Sequence, residues 1–189
     1  MSADLAAERE TMVDSQIRTQ DVTDLALIDA MRAFPRETLV PAAKSWLAYA
    51  DTEVEYAPGR WMLRPRDVAK LLQAVKPRPS ESALAIAAPY AAEILALVGL
   101  AVTRKIGDDL TDVSGTWDVI VCEGAVAKAP AAWISALAPG GRLGVVERDG
   151  PVGRAMVYLR TEHSVGARPA FDCTPPVLAG FEPVRGFAL

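Results

Sequence analysis

The stretch Ser82-Ala83-Leu84-Ala85-Ile86-Ala87-Ala88-Pro89-Tyr90-Ala91-Ala92-Glu93-Ile94-Leu95-Ala96-Leu97-Val98 decides the fold. It begins as a short apolar run, and Ala87 to Pro89 make a turn of small residues. Ile94, Leu95, Leu97 and Val98 then recur at helical spacing, so the stretch reads as buried strand, tight turn and helix. Such a unit opens a nucleotide-binding α/β domain. Its turn ordinarily holds glycines, because the backbone must take positive φ and let a ligand approach closely. No glycine stands here. The outline of a ligand site is kept while the residues that would cradle the ligand are replaced.

The flanking sequence extends the pattern. Upstream, Pro65 starts a helix in which Val68, Leu71, Leu72 and Val75 share one face, and Pro77 and Pro79 end it. Downstream, Leu100 to Ile106 alternates as a half-covered strand closed by Gly107. Trp117-Asp118-Val119-Ile120-Val121-Cys122 is a nearly continuous apolar run, as in a central parallel strand covered on both faces. Pro130 to Leu137 supplies a helix, Pro139-Gly140-Gly141 a turn, and Arg142 to Val146 another buried strand. Ala155 to Arg160 and Arg168 to Leu178 read as an antiparallel pair at the sheet's edge. The whole is a doubly wound, Rossmann-like α/β sheet, mostly parallel, with an antiparallel C-terminal hairpin.

Before this core, residues 3–33 read as two helices around a break near Asp21, with Thr23 capping the second until Pro35 stops it. The first has only a thin stripe of Leu5, Met12 and Ile17, which suits a lid or an arm on the surface. Residues 34–61 are rich in Pro, Tyr and Trp and read as an irregular ordered segment, with one helical turn at Pro41 to Trp46. The expected organisation is one domain over 1–189, with a helical and loop module at 1–65 and the α/β core at 66–189.

The balance of 20 basic and 24 acidic residues, a formal charge of -4, leaves no basic stripe and argues against nucleic acid as the main partner. Met1 to Glu10 is acidic and lacks an apolar core, so neither an export signal nor a membrane anchor is read there, and a cytoplasmic protein is expected. Every apolar run is interrupted well short of the roughly 20 residues that span a bilayer. Cys122 and Cys173 are expected as reduced, buried thiols.

A series of residues resembles the protein-L-isoaspartate O-methyltransferases, within the class I methyltransferase fold. It runs through Met12-Val13, Gln16, Arg18, Asp24, Ala30-Met31, Pro35-Arg36, Val40-Pro41, Ala48-Tyr49 and Asp51, and resumes with Gly59, Pro65, Trp117 to Val121, Leu137 and Pro139-Gly140-Gly141-Arg142-Leu143. The resemblance implies methyl transfer from S-adenosylmethionine to the carboxylate of an isoaspartyl residue in damaged protein.

Three departures bear on that activity. Where the family has Gly-Thr-Gly-Ser-Gly after its first strand, this chain has Ala87-Ala88-Pro89-Tyr90-Ala91, and Ala85 replaces the acid before the turn. Alanine costs roughly 1–2 kcal/mol in left-handed geometry, and proline removes a backbone donor. Between the helix at Ala91 to Val98 and the strand at Trp117, the family fits a strand ending in a ribose-binding acid, a helix and a further strand. Here only Gly99 to Thr116 is available, so a shortened crossover is expected at 99–116; Gly107-Asp108 matches the family's Gly-Asp pair at the adenine end. The family's Gly-x-Gln-Thr-Ile-Ser-Gln-Pro loop becomes Gly59-Arg60-Trp61-Met62-Leu63-Arg64-Pro65, and its hydroxyls are gone.

Other chemistry-bearing residues read as structural or solvated. His163 is the only histidine, in a polar turn, and no metal site follows from it and two distant cysteines. Asp108, Asp109 and Asp112 lack the glycine and terminal acid of a calcium loop. Cys122-Glu123 follows a central strand, where such sheets place ligands, and reads as a core cysteine beside an exposed acid. Arg60 and Arg64 around Trp61 read as a surface, with an anion or peptide carboxylate as the alternative. No catalytic, cofactor-binding or metal-binding residue is therefore assigned. The expectation is a methyltransferase-like protein that has lost its S-adenosylmethionine site, needs no cofactor and acts as a binding or assembly module. An unidentified protein partner or a homodimer through the N-terminal segment would be its partner, without nucleic acid or membrane. The alternative is a working S-adenosylmethionine-dependent isoaspartyl methyltransferase.

Overall fold

The computed structural model describes residues 4–183. The chain begins with α1 (Leu5–Met12), capped by Asp4, whose carboxylate accepts the Ala7 N–H at 3.2 Å. It runs on without a break into a π-helical turn at Val13–Ile17 and a 3-10 turn at Arg18–Gln20, and Asp21 at φ 61° ends it. Met12, Val13 and Ile17 are fully buried, so the thin stripe is not a lid. Val13 and Ile17 stand four residues apart and so share one helical face, with Met12 beside them.

The next helix, α2 (Leu25–Ala33), is capped by Asp24, which accepts from Ala26 and Leu27, rather than by Thr23. Thr23 instead gives its N–H to Gln73 Oε1 at 2.7 Å. Two 3-10 turns follow, at Arg36–Leu39 and Ala42–Leu47. A short hairpin, β1 (Val54–Ala57) and β2 (Arg60–Met62), turns through Gly59 at φ 65° where the sequence suggested only irregular backbone. Strands of four and three residues are too short for alternation to register.

The expected helix is present as α3 (Pro65–Val75), followed by β3 (Ser82–Ile86), α4 (Pro89–Val98), β4 (Ala101–Lys105) and β5 (Trp117–Val126). Then come α5 (Ala131–Ser135), β6 (Leu137–Glu147), β7 (Arg154–Arg160) and β8 (Val165–Asp172). The sheet order is β4-β3-β5-β6-β7-β8; the first four strands are parallel, and β7 and β8 are antiparallel to their neighbours. The shortened crossover is realised directly: α4 returns the chain to β4 beside β3, and no further strand lies beyond it among the described residues.

Three boundaries differ from the sequence reading. The helix after Pro130 is one turn shorter, and Pro139 to Gly141 lie inside the irregular start of β6, where the register with β5 shifts. β8 starts at Val165 and ends at Asp172, and the chain then returns to β5, where Leu178 N–H donates to Ala125 C=O.

Alternation sorts the strand residues between two cores. Ala83, Ala85, Val119 and Val121 face the helical side with α1 to α4; Leu84, Ile86, Ile120 and Cys122 face the other, with Trp133 of α5. Arg142 fastens α3 to the sheet by a two-pronged contact with Glu81 at 2.9 Å and by bonds to Val75 C=O and Lys76 C=O.

Candidate functional site

In a parallel sheet of this kind ligands bind beyond the carboxyl ends of the strands. Here that region is bounded by the turn after β3, the ends of β4 and β5, and the β1–β2 hairpin. Ala87 sits at φ 45°, in the left-handed region without a glycine to relieve it. Its backbone groups are engaged within the protein: Ala87 N–H donates to Lys105 C=O at 3.0 Å, and Ala87 C=O accepts from Tyr56 Oη at 3.3 Å. Pro89 has no N–H to offer.

The first amides of α4 point at Glu123. Ala91 N–H donates to Glu123 Oε1 at 2.7 Å. Glu123 Oε2 accepts the Leu63 N–H at 3.1 Å. The side chain is fully buried, which overturns the reading of Glu123 as an exposed acid. The register of β5 against β6 shifts between Val121 and Ala125, four steps on β5 against two on β6, which keeps the facing of its residues, and Gly124 takes φ +98°. Glu123 falls on the side of Val119, Val121 and Ala125, against Leu63 and Ala91, so the period of two carries it inward. The sequence signal that could have found it is the alternation of β5 itself, carried two residues past Val121.

Arg36 is the second buried charge. Its Nε donates to Ala48 C=O at 2.9 Å, its Nη2 to Leu63 C=O at 2.8 Å, and its guanidinium lies 4.5 Å from the centre of the Tyr90 ring. Burial pushes Arg36 below its ordinary pKa and pushes Glu123 above the carboxylate range. Arg36 and the backbone N–H groups oppose the shift of Glu123, because they favour its ionised form. Among the described residues, Arg36 Nη1 and Tyr90 Oη are buried without a hydrogen-bond partner.

Two recesses remain. One, of about 420 Å³, is lined by Arg60, Ala87, Gly107, Asp108 and Leu110; the other, of about 170 Å³, by Ala85, Ala88, Pro89 and Arg104. Tyr56 and Ile106 border both. Arg60 spans the larger one, donating to Ala179 C=O and Gly107 C=O, while Arg64 pairs with Glu53 at 2.8 Å. Arg60, Trp61 and Arg64 thus do not converge on one anion: both guanidiniums are held by the chain's own oxygens.

The remaining candidates stay apart from the cleft. Asp109 closes its own turn by accepting from Thr111 and Asp112. His163 lies exposed beside Glu162. Burial raises the Cys122 thiol, which lies in the core, and Cys173 is pushed up to about 12. Among the described residues no cluster of metal-ligating side chains forms, and no helix is long and apolar enough to cross a membrane.

S-adenosylmethionine would need a free amide cradle at the start of α4 and an acid at the end of β4. The cradle's amides already hold a carboxylate, and β4 ends in Lys105, so these residues do not fit that ligand as they stand.

A scan against models of protein families finds no match. Among curated proteins, the chain is 30% identical to the protein-L-isoaspartate O-methyltransferase of Methylorubrum extorquens, over 82% of this chain and 80% of that one. It is 30% identical to the enzyme of the same name from Methylorubrum populi, over 81% and 85%. Among solved structures, a protein-L-isoaspartate O-methyltransferase of Plasmodium falciparum in complex with S-adenosyl-L-homocysteine superposes with a TM-score of 0.76 at 14% identity, over 90% of this chain and 97% of that one. A second protein-L-isoaspartate O-methyltransferase gives 0.74 at 18% identity, over 92% and 67%. Those two structures share the fold, and the likeness in sequence to the two Methylorubrum proteins settles the kinship: the chain belongs to the protein-L-isoaspartate O-methyltransferase family.

Proposed function

We propose that this chain is a member of the family that has given up S-adenosylmethionine and works as a binding or assembly module on a retained methyltransferase scaffold. The carrying observation is Glu123. Its buried carboxylate takes the α4 amides at the position where a ligand's anionic end would be received, and the same carboxylate ties down Leu63 in the loop that lost its hydroxyls. A helix N-terminus is a ready-made anion site, and here the anion is internal. The alanine and proline turn and the single crossover support the same reading. A working enzyme is the second reading, favoured by the 420 Å³ recess and by the shared identity with the Methylorubrum proteins.

Calorimetry with S-adenosylmethionine, paired with a methyl-transfer assay on an isoaspartyl peptide, separates the two. The proposal expects no heat of binding at millimolar ligand and no methyl ester. A micromolar dissociation constant, about 8 kcal/mol of affinity, or turnover of the peptide, overturns it.

A further inference from the structure

The sheet ends at β4, whose outer side has no neighbouring strand among the described residues. Ala101 N–H donates to Glu81 C=O and Lys105 C=O accepts from Ala87 N–H, so the odd-numbered residues of β4 turn their backbone groups towards β3. By the parity of a parallel ladder, Val102 and Arg104 turn theirs outward. The opposite edge, β8, carries Pro169, whereas β4 pairs in unbroken register and contains no proline. An edge strand's unpaired N–H and C=O groups are a template for pairing, and β4 guards them only by its short length and by Arg104 and Lys105. Leu97 and Ile106 beside it are 53% and 76% exposed.

We propose that this edge joins two copies of the chain, β4 to β4, antiparallel about a twofold axis at Thr103. Outward-turned residues must face each other, so Val102 of one copy faces Arg104 of the other and the two exchange both backbone hydrogen bonds. The symmetric pair does the same, and Thr103 faces its own copy as the close, non-hydrogen-bonded pair. Neighbouring registers fail on specific grounds. Centring on Val102 would call on Leu100, whose N–H is already given to Leu95 C=O at 3.1 Å. Centring on Arg104 would oppose two guanidiniums, which is unfavourable. The Thr103 register sets Arg104, held by Glu93 at 2.8 Å, against Val102, and Lys105 against Ala101, so no like charges are opposed. The inference stands whether or not the cleft binds S-adenosylmethionine.

The test uses the full chain, its mass measured by sedimentation over a range of concentrations, and two variants at an exposed position. Thr103→Lys brings two ammonium groups together at the axis and is expected to weaken the dimer at least about tenfold, equivalent to 1.4 kcal/mol. Thr103→Cys places two thiols on Cα atoms about 4.5 Å apart, within disulfide range. It is expected to give a covalent dimer under mild oxidation that neither the unmodified chain nor Ala101→Cys gives. A chain that stays monomeric at about 100 µM, or a dimer indifferent to Thr103→Lys and not trapped by Thr103→Cys, overturns the proposal.

Discussion

Arg36 and Glu123 hold opposite ends of one residue: Arg36 Nη2 donates to the carbonyl of Leu63 at 2.8 Å, and Glu123 Oε2 accepts its N–H at 3.1 Å. Two charges fully removed from solvent thereby fix the loop between β2 and α3, and Glu123 fixes the start of α4 at the same time. The cleft is braced from within by two buried side chains of the chain itself.

This bracing sets the cost of removing Glu123. Glu123→Ala leaves two buried N–H groups without an acceptor, at about 1–3 kcal/mol each, so urea unfolding should show a loss of roughly 2–6 kcal/mol. Glu123→Gln keeps one acceptor and should lose roughly half as much. Equal, small losses in both variants would show that the carboxylate does not brace the cleft.

Gly124 follows Glu123 and lies on the other face of β5, against Leu178. A Cβ added there would lie 2.5 Å from Leu178 Cδ2, on a backbone at φ +98°. Gly124→Ala therefore combines overpacking with left-handed strain and should cost roughly 2–4 kcal/mol in chemical denaturation.

Restoring glycine alone should not restore a cofactor site. The triple variant Ala87→Gly, Pro89→Gly, Ala91→Gly relieves the turn but leaves Glu123 over the α4 amides and the crossover short. Titration with S-adenosylmethionine should still give no binding signal; recovery of affinity in this variant would mean that the turn was the whole lesion.

Asp67, buried at the start of α3, supplies a pH signature. Burial lifts its pKa from 3.8 to about 6, against the pull of Arg66. The folded state holds the proton more tightly than the unfolded chain, so the contribution of Asp67 is most favourable below about pH 4 and is lost as pH rises through about 6. Asp67→Asn should accordingly be more stable than the unmodified chain at pH 8, by roughly 1–3 kcal/mol at about 1.4 kcal/mol per pKa unit. The difference should vanish by pH 4, and unfolding midpoints measured across this range check it.

The strand, turn and helix of 82–98 were legible because an apolar run and a helical period follow one another with a small-residue turn between them. Pro65 to Val75 was legible for the same reason, with prolines at both ends. The β1–β2 hairpin was not, since each strand is shorter than the window in which a period of two can be seen. Glu123 was misread because its charge reads as a sign of exposure, although alternation from Val119 and Val121 places it on the helical side. The opening helix was underestimated because Val13, four residues before Ile17 and next to Met12, was not counted in its apolar stripe.

The most direct test is a crystal of this protein grown or soaked with S-adenosyl-L-homocysteine. The account predicts Glu123 seated on the amides of Ala91 and Leu63, with no adenosyl density in the cleft beyond Ile86. Clear density for the adenosyl ligand there, with Glu123 swung away from those amides, would contradict it.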